Sequence, residues 1–396
     1  MSIIGNPITL GGGKASGPVG RSDVNFYDYD GSIVASYTAA DFASLSALPK
    51  NPTHDGLTAQ GWNYTLSDAK AYVASYGKLD VGQMYITDDG KTRIYIRLED
   101  GRLAPYLGIA INGTATVEWG DGQTSTVTGS STSTVVNTQH TYAAAGDYVI
   151  AIAVSGSMVL MGNSFNGSQV LWRNSVVMAD QNRVYQNAIQ KAEIGANTSI
   201  SNSAFRDCYS LTSVMIPSGV TSIGSSAFAY CYSLTSVMIP SGVTSIDGSA
   251  FYNCYSLTSV MIPSGVTSIG SSAFYGCASL ASVMIPSSVT SIGSSAFRNC
   301  ASLASVMIPS GVTSISNSAF RDCASLASVM IPSGVTSSVH RRDQLPQQQH
   351  LHLRRVLRRQ HVTKRTDRKR RTHPPLERRG AENPASGNRH RVRRRC

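Results

Sequence analysis

Cys254-Tyr255-Ser256-Leu257-Thr258-Ser259-Val260-Met261-Ile262-Pro263-Ser264-Gly265-Val266-Thr267-Ser268-Ile269-Gly270-Ser271-Ser272-Ala273-Phe274-Tyr275-Gly276 is one copy of a 23-residue unit. Phe205, Phe228, Phe251, Phe274, Phe297 and Phe320 recur at that interval, and Cys208, Cys231, Cys254, Cys277, Cys300 and Cys323 each follow their Phe by three positions. A unit of this length with one short strand cannot bury its apolar face alone, whereas units stacked along one axis can. The period therefore predicts a right-handed stack of about six or seven coils. In the first copy Val214 and Ile216 share one face of a period-2 strand and join Leu211 inside, while Ser213 and Met215 face outward. Pro217 has no amide hydrogen to give a ladder, so it ends the strand, and Ser218-Gly219 turns the chain. Val220 and Ile223 then re-enter the core. Ser225 or Ser226 is placed to cap a short helical turn carrying Ala227, Phe228 and Cys231 inward. The stretch Ile194-Gly195-Ala196-Asn197-Thr198-Ser199-Ile200 fits the template one residue short and reads as a degenerate leading coil.

Leu211, Val214 and Ile216-Pro217, followed by Ile223-Gly224, Ala227-Phe228 and Cys231, give a pattern that resembles the BspA-like, Treponema-type leucine-rich repeat. The resemblance implies a leucine-rich repeat solenoid, assigned to residues 192–338, in a surface-displayed binding protein. It implies no reaction.

Two modules are expected before the solenoid. Val24-Asn25-Phe26-Tyr27-Asp28-Tyr29-Asp30-Gly31 opens an alternating run with a hairpin signal at Asp30-Gly31, and Gly61-Trp62 ends the stretch. This resembles a Listeria-Bacteroides repeat, which implies a small β-grasp-like fold. Ser67 opens a helix over 68–76, and a hairpin is expected between 84–87 and 92–98 across Asp88-Asp89-Gly90. Residues 20–103 are thus assigned to an α+β head. Val117-Glu118-Trp119-Gly120-Asp121-Gly122, His140-Thr141-Tyr142 and Gly146-Asp147-Tyr148 resemble a PKD-like β-sandwich over 104–156. That resemblance implies that Trp119 and the two tyrosines fill a core. Residues 157–191 read as a connector or worn repeat, and 1–19 as a flexible leader. The fold class is mainly β, with a basic tail.

The formal charge of +11 is an average of two unlike parts: 19 of the 34 basic and 4 of the 23 acidic residues lie in 339–396, leaving the body at −4. The tail has no Ile, Met, Phe, Tyr or Trp, and Arg is its commonest residue, so it cannot bury a core and is expected to be disordered. One reading is an electrostatic arm for nucleic acid or anionic lipid. The other is a frameshifted continuation of the repeat: the codons GTC CAT CGG CGN for Val339-His340-Arg341-Arg342 read one base later as Ser-Ile-Gly, the tripeptide due there. On that reading the last coil lacks its natural cap and offers self-association through its end.

Catalysis needs convergent acid, base or nucleophile groups, yet the body holds only His54 and His140 and no nucleophile elbow, phosphate loop or metal-binding cluster. No catalytic residue, metal or cofactor is expected. Gly11-Gly12-Gly13-Lys14 lacks the strand and spacing of a phosphate loop. Asp121 is one carboxylate where Ca²⁺ wants ~6 to 8 oxygens, so Gly-Asp-Gly reads as a tight turn and His140 as a packed or hydrogen-bonded residue. Six cysteines at one spacing project in parallel, about 4.8 Å apart, and do not converge as a disulfide or a tetrahedral site requires. They read as buried small apolar groups.

What remains is a surface. Met215, Met238, Met261, Met284, Met307 and Met330 occupy the outward strand position beside Ser213, Ser236 and Ser259, and are expected to form an exposed ladder. Flexible thioethers repeated along one face would make an adaptable apolar strip, or would be surface residues copied with the repeat. The expected function is non-enzymatic adhesion to a protein or glycan on a cell surface. The alternative is a phage or prophage tail component, and a second alternative is nucleic-acid binding through the tail. No apolar run is long enough to span a bilayer, and the N-terminus lacks a secretory signal, so the expected place is a bacterial surface or a virion.

Overall fold

The computed structural model describes residues 23–338 apart from 29–31, 60, 63–65, 83–84, 88, 161–169, 173–184, 186 and 336. The expectations for the leader, the tail and much of the 157–191 connector lie outside the described residues.

In the head, β1 (Val24–Tyr27) pairs antiparallel with β2 (Ile33–Tyr37), as the Asp30-Gly31 signal predicts. Thr38 then caps α1 (Ala39–Ser44), its hydroxyl accepting from the Asp41 amide. After β3 (Leu57–Ala59), α2 (Leu66–Tyr76) returns the chain to β4 (Leu79–Gly82), which lies parallel to β1. Val24, Phe26, Phe42, Ala69, Val73, Leu79 and Val81 form the core between this small sheet and the helices. Trp62 packs edge-on to Phe26 at 4.9 Å and its indole donates to the Pro49 carbonyl at 2.6 Å.

The expected second hairpin does not form. β5 (Tyr85–Thr87) pairs with β3, while β6 (Thr92–Leu98) leaves the head and pairs with a distant strand, β9. The reason is the length of its buried face: Ile94, Ile96 and Leu98 with the hydrogen-bonded Thr92 are all buried, more than a three-residue partner covers.

The expected sandwich region is built of three long antiparallel strands, β7 (Tyr106–Glu118), β8 (Thr124–Gln139) and β9 (Gly146–Leu160). It does not close as a separate unit. The short strand β10 (Leu171–Trp172) extends the β7 edge. β11 (Ile189–Glu193) lies antiparallel to β6, and β12 (Thr198–Ile200) runs parallel to the end of β9. One thirteen-stranded sheet therefore joins these strands to the repeats. Gly113 of β7 stands in register with both Gly129 of β8 and Gly156 of β9. A Cβ on Gly113 would lie 2.0 Å from the Ser155 carbonyl oxygen, and one on Gly156 would lie 2.2 Å from that of Asn112. Only glycine permits the close crossing with positive φ that these two positions adopt.

The solenoid begins at β11, whose Lys191, Ala192 and Glu193 pair in parallel with Ser213, Val214 and Met215. Ile194 and Ile200 are buried as the matching repeat positions are, but β12 pairs with β9 and not with the second sheet of the repeats. Six Ser-Val-Met strands follow, each parallel to the next, from Ser213–Met215 through Ser328–Met330. A second parallel sheet lies opposite, made of six two-residue strands from Ser222–Ile223 to Ser337–Ser338. Inside, the phenylalanine rings stack with centroids 5.3–5.4 Å apart and planes 3–7° from parallel. The Phe, Cys, Leu, Val and Ile columns are buried from Phe205 to Leu326. Each Pro turn closes through a bond such as Val266 N–H to the Pro263 carbonyl, 3.0 Å.

No helical turn follows Ser225. Ser226 has φ of 56°, as do its equivalents within a few degrees, and a left-handed residue ends a helix at its start. Alternate amides bond within the coil, such as Ala229 to Ser226 (3.1 Å), and to the next coil, such as Phe228 to Ala250 (2.8 Å). The segment is thus a ladder of turns.

Candidate binding surface

The methionine ladder exists in register but is not an open strip. Met238, Met261, Met284, Met307 and Met330 align across the parallel strands, while Met215 pairs back to Glu193. Met215, Met238, Met261 and Met307 are half-buried, as are Ser213, Ser236 and Ser259. Met284 is 6% exposed and belongs to the apolar cluster of the head, against which Met261 also packs. The expectation of a continuous exposed ladder is therefore corrected: the head covers its middle. The physical reason is that the thioethers are apolar surface on a serine-rich solenoid, and the head's core cluster extends onto them at Met284 and Met261. The side chain of Met330 lies outside the described residues.

Asp121 and His140 behave structurally. Gly120 and Gly122 have φ of 86° and 90°, as the tight turn requires. One Asp121 oxygen accepts from the Gln123 amide at 3.0 Å and the other lies 2.7 Å from His140 Nε2. The imidazole stacks on Trp119 at 4.9 Å, and the buried Tyr142 hydroxyl donates to the Trp119 carbonyl at 2.9 Å. Burial pushes the Tyr142 phenol far up. His54 pairs with Asp28 at 2.8 Å and packs edge-on to Tyr85. Each pair ties together two segments that lie outside the strands. Among the described residues no three His, Cys, Asp or Glu side chains are grouped to hold a metal, and no helix is long and apolar enough to cross a membrane.

Every solenoid cysteine is buried and free, and from Cys231 to Cys323 each thiol donates to the carbonyl of the phenylalanine in the preceding coil at 3.1–3.2 Å. Desolvation raises these thiols well above their ordinary range, so they remain protonated hydrogen-bond donors.

The residues that sequence reasoning did not assign to binding are tyrosines. Five of the chain's 18 tyrosines form two stacked rows on the turn side of the first coils, with Tyr230 set against both. Tyr209, Tyr232 and Tyr255 stack at 4.7 and 5.0 Å with planes 16° and 6° from parallel. Beside them Tyr252 and Tyr275 stack at 4.7 Å and 4°, and Tyr230 meets Tyr232 edge-on at 6.2 Å and Tyr252 at 5.3 Å. Tyr255 is 46% exposed and the others are half-buried. The Arg206 guanidinium lies 5.5 Å over Tyr230 and that of Arg298 5.8 Å over Tyr275, one at each end. Desolvation and the neighbouring phenols raise Tyr232 and Tyr252, so these hydroxyls stay protonated at neutral pH. The signal was present in the repeat itself, because the first three copies read Cys-Tyr-Ser-Leu-Thr-Ser and the last three Cys-Ala-Ser-Leu-Ala-Ser.

Residues 163–257 and 244–340 match the family described as BspA type leucine rich repeat region, in six copies. No curated protein matches the chain. Among solved structures, the chain is similar to a leucine rich repeat protein of T. pallidum at 33% identity, covering 43% of this chain and 82% of that one with a TM-score of 0.39. It is also similar to a leucine rich cell surface protein of Faecalibacterium prausnitzii at 25% identity, covering 38% and 69% with a TM-score of 0.22. The pneumococcal vaccine antigen PcpA matches at 19% identity, covering 41% and 42% with a TM-score of 0.28.

Proposed function

We propose that this chain, whose residues 163–340 are a BspA-type leucine-rich repeat region, is a non-enzymatic binding protein displayed on a bacterial surface and holding a host or cell-surface ligand through its solenoid. The observation that carries this reading is the division of labour within each coil. Phe, Cys, Leu, Val and Ile fill the inside, while the outward positions repeat Ser, Thr, Met and Tyr at a fixed spacing. A rigid scaffold presenting a periodic, hydroxyl-rich and aromatic surface is suited to recognition. The titratable groups nearest to catalytic type, the two Asp–His pairs, are each engaged in holding a turn or loop.

The test is direct binding of the purified full chain to cultured epithelial cells, read by flow cytometry over a concentration series. Saturable binding is expected, and it should fall when outward solenoid residues are changed in the full chain. Absence of saturable binding would overturn the reading. Binding that was untouched by every solenoid surface change, and lost on altering the head, would move recognition to residues 20–103.

A further inference from the structure

We infer that the tyrosine rows of the first coils are a docking strip for a linear, uncharged glycan, a conclusion that rests on the binding role proposed above and names its ligand class. Three observations point to it. The first is that the coil does not need these rings. Ala278, Ala301 and Ala324 hold the position of Tyr209, Tyr232 and Tyr255, yet the same inter-coil bond is made: Ser256 N–H to the Tyr232 carbonyl at 3.3 Å and Ser302 N–H to that of Ala278 at 3.0 Å. The second is strain. Tyr230 has φ of 64°, whereas Asp207, Asn253, Gly276, Asn299 and Asp322 occupy the equivalent left-handed site with residue types that tolerate it. A large aromatic residue kept where the backbone disfavours it signals a use for the ring.

The third observation is periodicity and charge. The rows repeat at 4.7–5.0 Å, so each coil offers one more ring edge and phenol hydroxyl along a straight line. An extended peptide laid along the row presents like-facing side chains only every ~6.6 Å. A chain of equatorially linked pyranose rings advances by one ring per interval close to the coil rise and carries a rim of hydroxyls on an apolar body. Tyrosine, with an apolar body and a polar tip, is complementary to that pattern. Each flanking cation has a carboxylate within reach, Arg206 with Asp207 at 3.8 Å and Arg298 with Asp322 at 3.2 Å, the latter shared with Arg321 at 3.5 Å. A polyanion such as nucleic acid would require cations free to meet its phosphates.

The experiment screens the full chain on an array of neutral linear β-glucan, chitin and xylan oligosaccharides alongside mammalian glycans, then titrates the best neutral hexasaccharide by calorimetry. The comparison variant carries Tyr209→Ala, Tyr232→Ala and Tyr255→Ala, the residue the later coils already accept, and Thr128→Ala, at an exposed position of β8 outside the solenoid, is the control. We expect saturable binding that weakens by at least about tenfold in the triple variant and is unchanged in the control. Silence on every neutral oligosaccharide, or equal binding by the triple variant, overturns the inference. Cell binding distinguishes this from failure of the broader role: binding that survives digestion of the cells with endo-β-glucanase, chitinase and xylanase but not protease treatment identifies a protein ligand and defeats the glycan, while leaving the binding role standing. Loss of both glycan and cell binding defeats both.

Discussion

The first three coils of the solenoid and the last three share one interior and differ on one surface. Phe228 and Phe297 are equally buried, as are Cys231 and Cys300, and Val243 and Val312. Outside, the early coils carry stacked tyrosines and threonines whose hydroxyls donate to the previous coil, as Thr235 does to Thr212 and Thr258 to Thr235. The late coils carry Ala281, Ala304 and Ala327 in those threonine positions. The difference teaches that the coil is specified by its inward columns alone, and that what varies outside is available to be shaped by binding.

The strongest way to break that comparison is to attack the column both halves share. Phe251 is stacked between Phe228 and Phe274 at 5.4 and 5.3 Å. Phe251→Ala should cost about 3 to 5 kcal/mol, and it should loosen the adjoining coils first because each coil contacts only its neighbours. Phe320 has a described stacking partner on one side, Phe297, so the same change there should cost less. Denaturant unfolding with hydrogen exchange resolved by coil checks both; equal losses at the two sites would show that the column does not act through stacking.

The cysteine column gives the second test. Burial holds Cys208, Cys231, Cys254, Cys277 and Cys300 well above their ordinary value of 9.0, and pushes Cys323 up to about 12. Above pH 9 the unfolded thiols release protons that the folded ones retain, so stability falls as pH rises. The contribution is complete below pH 9 and is lost as pH climbs through the folded values. Unfolding midpoints should therefore drop steeply in alkali and stay nearly flat from pH 7 to 8.5. Native alkylation should reach Cys323 before the five inner cysteines, since it is the least enclosed of the six. Early labelling of Cys254 would contradict the buried column.

How much of this could be read from the sequence follows from the length of each signal. Phe251 and Cys254 repeat six times over, so their burial and the parallel Ser-Val-Met strands were legible. The opposite sheet was not, because strands such as Ser268–Ile269 are two residues long and carry no periodicity. The head's β1–β2 hairpin was legible from Asp30-Gly31, whereas the partner of β6 depended on a strand more than forty residues away. Met284 illustrates a different limit: its outward direction was correct, but whether another part of the chain covers an outward residue is a tertiary fact. The tyrosines were legible as a contrast between copies, whereas their stacking into rows depends on how successive coils superpose.

Met284 also sharpens the comparison, since it separates positions that the repeat makes equivalent. Met284→Thr removes a buried thioether from the head's cluster and brings in a hydroxyl, and should cost about 1 to 3 kcal/mol. Met238→Thr, at a half-buried equivalent, should stay within about 0.5 kcal/mol. The loss at Met284 should show as faster hydrogen exchange in α2 and β4 of the head. Equal effects of Met238→Thr and Met284→Thr would remove the head from the methionine row.

The smallest expected effect is the most discriminating, because its sign separates folding from recognition. Tyr230 sits at φ 64° in the place where Asn253 and Asn299 sit at 57° and 61°. Replacing it with Asn relieves a left-handed tyrosine, worth about 1 to 2 kcal/mol in backbone terms. It also forfeits the ring contacts to Tyr232 and Tyr252 and the Arg206 guanidinium above it, about 0.5 to 1 kcal/mol each at a surface site. These terms nearly cancel, so Tyr230→Asn should move the unfolding free energy by less than about 1 kcal/mol. Oligosaccharide binding should nevertheless weaken, since the ring that bridges the two rows is gone. A residue retained for its fold would show the reverse, with stability lost and binding intact. Unchanged stability beside weakened binding is the pattern expected where a strained side chain is held for what it contacts.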